Sequence, residues 1–185
     1  MLHQCKVGIK LHGNNKTKVN VPGKFITQAC KLIGNLKMLI RKIRGKLKIL
    51  DMGDLTKDKE AELVCPRNKV GQVDIYVVSH HGWYQSNSPA FLSGIAPRVA
   101  IMDNGAKKGG TPSAWDIIEK SPRLEDLWQL HFSEEGGAAH NVATEFIANP
   151  QGADGGNDLE LTAWPSGNFE VLNSRTEKTK KYSSR

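Results

Sequence analysis

Val73-Asp-Ile-Tyr-Val-Val-Ser-His80-His81-Gly82 is a short apolar run that stops abruptly at two histidines and a glycine. Val73, Ile75, Tyr76, Val77 and Val78 lack polar alternation, the mark of a strand buried on both faces in a parallel sheet. Ligands gather where such strands end. Upstream, Leu47-Lys-Ile-Leu-Asp51-Met-Gly53-Asp54 repeats the arrangement, an apolar strand followed by a glycine that lets the chain turn and then a carboxylate. Asp54 and His80, each at a strand end, are therefore expected to converge.

Working outward, the strand to Met52 is followed by a short helix over Thr56 to Cys65, with Asp58, Glu60 and Glu62 towards its start and Pro66 closing it. After the strand Val73 to Ser79, Ser88-Pro89 reads as an N-cap serine with proline at the first helical position. Arg98 to Met102 is the next strand. Thr111-Pro112 repeats the cap and proline pair and opens a helix over Ser113 to Lys120. Strand and helix alternate three times, which predicts an α/β fold with right-handed βαβ crossovers and parallel strands.

Glu125 to His131 reads as a further strand. The Gly-, Ala- and Asn-rich stretch from Ser133 to Gly156 reads as a long loop with a helical turn around Val142 to Ile147. Leu159 to Trp164 and Asn168 to Asn173 alternate around Pro165-Ser-Gly167 as an antiparallel hairpin. Residues 176–185 are expected to fray.

The N-terminal quarter differs in kind. The chain of 185 residues has a formal net charge of +7, enough length for one domain with a real core. Its first 50 residues hold twelve Lys and Arg and no acid, so the rest carries 14 basic against 19 acidic residues, about −5. Met1 to Gly23 reads as a loop or a poorly formed strand pair. From Lys24 to Arg44 apolar residues recur at three and four with basic residues between them, predicting an amphipathic basic helix. Such a helix would hold nucleic acid or lipid headgroups, or simply present a solvated basic face. Residues 1–45 are accordingly set apart as a basic N-terminal segment.

Cys5, Cys30 and Cys65 are odd in number and lack CxxC spacing, which excludes a zinc ribbon and fits a reducing compartment. No apolar run approaches the ~20 residues needed to span a bilayer, and the N-terminus lacks the apolar core of a signal peptide. The expectation is a cytoplasmic protein with no transmembrane segment.

Oxygen and imidazole donors such as Asp54 and His80 suit zinc, manganese or iron. Asp51-Met-Gly-Asp54-Leu55, Val78-Ser-His80-His81-Gly82 with Ser86-Asn-Ser-Pro89, Pro97 to Met102 and Gly110-Thr-Pro112, in that order, resemble the metallo-β-lactamase superfamily, and within it the hydrolase domain of ComEC-type DNA-uptake proteins. The resemblance covers residues 46–175. It implies the C-terminal part of an αββα sandwich, with mixed sheet and flanking helices.

By that resemblance Asp54 matches the aspartate that bridges two metal ions, zinc being the metal the family implies, and His80 matches the last histidine ligand, with His81 the less favoured of the pair. The implied chemistry is hydrolysis by a metal-bound hydroxide, on a phosphodiester or a small-molecule substrate. The family's HxHxDH motif belongs before Asp54, where this chain has only His3 and His12. A catalytic zinc takes about three protein ligands plus water. The expectation is thus a truncated, catalytically impaired metallohydrolase whose half-sandwich exposes apolar surface and favours self-association. The alternative is a non-enzymatic protein that binds nucleic acid or an acidic partner through residues 24–44.

Three weaker candidates complete the set. Lys108-Gly109-Gly110-Thr111 suits phosphate binding through backbone N–H groups at a helix start, or serves only as a strand-to-helix turn. His131 and His140 flank the loop from Ser133 and line the same cleft, unless they are ordinary surface histidines. Ser79 and Ser86 lack a G-x-S-x-G elbow, which sets aside a serine hydrolase.

Overall fold

A computed structural model describes residues 7–12, 16–20, 39–43, 47–152 and 154–185. Five strands form the centre in chain order, β4 (Leu47–Asp51), β5 (Ile75–Val77), β6 (Val99–Met102), β7 (Asp126–His131) and β8 (Ile147–Asn149). All four of their pairings are parallel. Three helices cross between them, α1 (Lys57–Val64), α2 (Pro89–Ile95) and α3 (Pro112–Glu119). Because the strands follow one another without reversal, crossovers of one hand place every helix on the same face.

Alternate residues of each strand feed two cores. Leu50, Met52, Tyr76, Ala100, Met102 and Leu127 pack with Leu63, Phe91, Leu92, Ile95 and Ile118 of the helices. Leu47, Ile49, Ile75, Val99, Ile101, Trp128 and Leu130 face the other way, onto Leu159, Leu161, Phe169, Val171 and Tyr182 of a second sheet. That sheet is antiparallel, with order β11-β10-β9-β1-β2, from β1 (Val7–His12), β2 (Lys16–Asn20), β9 (Leu159–Ala163), β10 (Phe169–Asn173) and β11 (Lys178–Tyr182). The layers are helices, mixed sheet and antiparallel sheet, so the fold is mixed α/β.

The three strand–helix alternations, the hairpin β9–β10 and the turn at Thr144–Phe146 fall where the sequence places them. Two expectations need correction. Leu39–Ile43, assigned by periodicity to the end of a basic helix, is β3, which pairs antiparallel with β4 at the edge of the central sheet. A strand partner overrides a periodic pattern, and residues 24–38 of that expected helix lie outside the described residues. The end of the chain, expected to fray, is β11. Tyr182 stacks on Phe169 with ring centroids 4.6 Å apart and accepts a hydrogen bond from Trp128 Nε1 at 3.0 Å. Among the described residues no helix is long and apolar enough to cross a membrane.

Candidate functional site

The ends of the parallel strands gather the polar chemistry, as the strand pattern predicts. β5 does not simply stop at Val77. Its continuation turns through His80 at φ 53°, His81 at φ 56° and Gly82 at φ 76°, three successive residues in the left-handed region. Two of them carry side chains, and each such residue costs roughly 1–2 kcal/mol.

Hydrogen bonds on every side hold this turn. The Ser79 N–H donates to the Tyr76 hydroxyl at 3.0 Å, that hydroxyl donates to Asn87 Oδ1 at 2.8 Å, and Asn87 Nδ2 donates back to the Ser79 carbonyl at 3.1 Å. Full burial pushes the Tyr76 hydroxyl well above the usual range, so it stays a donor. The His80 N–H reaches the Gly53 carbonyl at 2.9 Å, which ties the turn to the loop that carries Asp54. On the far side the Gly110 N–H donates to the His81 carbonyl at 2.9 Å and the Thr111 N–H to the Gly82 carbonyl at 3.0 Å.

Those last two bonds engage part of the glycine-rich loop. The N–H groups of Gly110 and Thr111, expected to cradle phosphate, are already engaged by the histidine turn, and the Thr111 hydroxyl also donates to the Gly82 carbonyl at 3.2 Å. A Cβ on Gly109 would lie 2.0 Å from the His81 carbonyl oxygen. The glycines are there because the loop must press against the turn, and Lys108 beside them is exposed.

The side chains sort differently from the sequence expectation. His81, not His80, turns its ring to Asp54, with Nε2 3.9 Å from Oδ1. His81 Nδ1 lies 3.1 Å from the Asp103 carbonyl and 3.2 Å from Asp103 Oδ1. The Asp103 carboxylate raises the His81 pKa above the usual imidazole value, against the opposing effect of partial burial. His80 Nδ1 instead meets the Ser86 hydroxyl at 3.4 Å, and its ring stacks on Trp83 with centroids 6.2 Å apart. Ser86 donates its own proton to the Leu55 carbonyl at 2.6 Å.

The two other histidines have separate partners. His131 is buried at the end of β7, with Nδ1 2.8 Å from the Asn104 carbonyl and Nε2 3.5 Å from Asp154 Oδ1. His140 sits over α3, its ring edge-on to Trp115 and Nε2 3.8 Å from Asp116 Oδ1. The Gly156 N–H, and secondarily His131, hold the Asp154 carboxyl below its usual range. Sequence reasoning missed Asp103, although it follows a strand end just as Asp54 does. The rule that singled out one carboxylate applies equally to the other.

Among the described residues no group of three or more His, Cys, Asp or Glu side chains is arranged to hold a metal ion. Asp54 and His81 supply two donors where a catalytic zinc takes about three. No known family model matches the chain, and no curated protein matches it.

Proposed function

We propose that this chain carries part of a metal-dependent hydrolase of the metallo-β-lactamase type, directed at phosphodiester-like substrates and catalytically impaired, since Asp54 and His81 supply two donors and among the described residues no group of three is arranged to hold a metal ion. One observation carries the reading. A strained left-handed turn of two histidines, fixed by hydrogen bonds with three other segments, faces an exposed aspartate at the carboxyl edge of a parallel sheet. Strain of this kind persists where surrounding structure over-determines it, and it clusters at functional sites.

The layer order supports the same reading, since helices on a mixed sheet packed against a second sheet correspond to one half and the middle of an αββα sandwich. In that family the metal supplies a hydroxide nucleophile and stabilises charge on the attacked group. Here Asp54 and His81 would contribute two of its ligands, and the sequence contains no HxHxDH motif to contribute the others.

Metal analysis of the purified protein beside a phosphodiesterase assay tests the proposal. Weak metal content that falls in Asp54→Ala, with no turnover, is the expected result. Two tightly held ions with turnover would overturn the impairment, and metal content indifferent to Asp54→Ala would remove the site.

A further inference from the structure

We infer that Asp103 is a positioning residue that fixes the tautomer and direction of His81, so that the imidazole facing Asp54 presents an unprotonated Nε2. Both groups beside Nδ1 are acceptors, the Asp103 carbonyl at 3.1 Å and Asp103 Oδ1 at 3.2 Å. A neutral imidazole has one N–H and one lone pair. With acceptors on the Nδ1 side, the proton belongs on Nδ1 and the lone pair on Nε2, 3.9 Å from Asp54 Oδ1.

Burial makes the arrangement more than a surface contact. The His81 and Asp103 side chains are 15% and 16% exposed, and Asp103 Oδ1 is shut off from solvent without a well-aligned hydrogen bond of its own. A buried carboxylate oxygen needs a partner, and the His81 ring is the group beside it. The backbone is clamped as well, because the Gly110 N–H holds the His81 carbonyl and Gly109 leaves no room beside it. A carboxylate behind an imidazole, setting which ring nitrogen is free, is a general way to aim a histidine at an electrophile. Among the described residues the group beside the His80 ring nitrogen is the Ser86 hydroxyl, at 3.4 Å, not a carboxylate.

This assignment deepens the proposed function and rests on it for its purpose, but its test needs no bound metal. Nitrogen-15 correlation spectra of histidine-labelled, metal-free protein in alkaline buffer report directly which ring nitrogen carries the proton. In the wild type His81 should show the Nδ1–H form, by about tenfold over the other tautomer if one hydrogen bond decides it. Asp103→Ala, which removes Oδ1 and leaves the Asp103 carbonyl, should lower the Nδ1–H to Nε2–H ratio several-fold, whereas Asp103→Asn, which keeps an acceptor oxygen, should hold it. A wild-type His81 in the Nε2–H form overturns the inference even if Asp103→Ala fails to fold, and so does a tautomer ratio unchanged in Asp103→Ala. Loss of metal binding in a protein that keeps the Nδ1–H form would count against the hydrolase reading alone.

Discussion

Glu60, in the middle of α1, caps a different helix: its two carboxylate oxygens accept hydrogen bonds from the Asn87 and Ser88 N–H groups at 2.7 Å each. The serine at the start of α2, expected to cap it, makes no side-chain cap bond. Glu60 is fully buried. Removing it leaves one buried and one half-buried donor without their partner, at roughly 1–3 kcal/mol for the buried one and less for the other. Glu60→Ala should lower unfolding free energy by about 3 kcal/mol in urea titration, and Glu60→Gln, which keeps one acceptor, by about half as much.

The same residue gives the protein a pH dependence of definite sign. Burial raises the Glu60 pKa above its ordinary value, against the lowering effect of the two N–H bonds. Within the interval between the unfolded and folded values, the folded state binds more protons than the unfolded state, so stability falls as pH rises. Below the ordinary carboxyl range both states are protonated, so the contribution is fully present and no longer changes with pH. Urea midpoints measured from pH 4 upwards should therefore contain a downward component in the wild type that is absent in Glu60→Gln.

Gly109 and Gly137 make a matched pair for the histidine turn. Both have positive φ, 79° and 57°, but a Cβ on Gly109 would strike the His81 carbonyl at 2.0 Å while one on Gly137 meets nothing within 4 Å. Gly137→Ala should lose only the conformational term, about 1 kcal/mol. Gly109→Ala must displace backbone and should lose several times as much, with His81 resonances shifting in the same spectra. Equal losses would show that the loop does not press on the turn.

How far the chain could be read from its residues follows from where the forces act. Uninterrupted apolar runs such as Val73 to Val78 and proline-marked helix starts such as Ser88-Pro89 are local signals, and the central sheet with its three helices follows from them. The position of Asp54 at a strand end was legible in the same way. The Glu60 cap was not, because it joins residues 27 positions apart, and nothing local distinguishes Glu60 from Asp58 or Glu62. Nor could spacing tell His80 from His81. That choice depends on a left-handed turn which directs one ring to Ser86 and the other between Asp54 and Asp103.

Tyr182 shows the same limit at the end of the chain. The Lys-rich stretch Lys178–Tyr182 looks like a solvated tail, yet Tyr182 accepts from Trp128 and donates to Asp126 Oδ2 at 2.7 Å, beside Lys180 on the other carboxylate oxygen. Tyr182→Phe should remove about 1 kcal/mol of stability through its hydroxyl, and Tyr182→Ala about 3 kcal/mol or more through the lost ring. Hydrogen exchange should show protected amides in β11. Free exchange there would restore the frayed tail.

The backbone at His80 separates strain from side-chain chemistry. At φ 53° a residue with a Cβ is disfavoured, Ala included, and Gly escapes the penalty. Both His80→Ala and His80→Gly lose the ring's contacts with Ser86 and Trp83. Glycine normally destabilises a fold relative to alanine by restricting an otherwise freer unfolded chain. Here the order should invert, with His80→Gly more stable than His80→Ala by about 1 kcal/mol in thermal or urea unfolding. If alanine were the more stable of the two, the turn would not be strained, and the principal support for a functional site at His80–His81 would be gone.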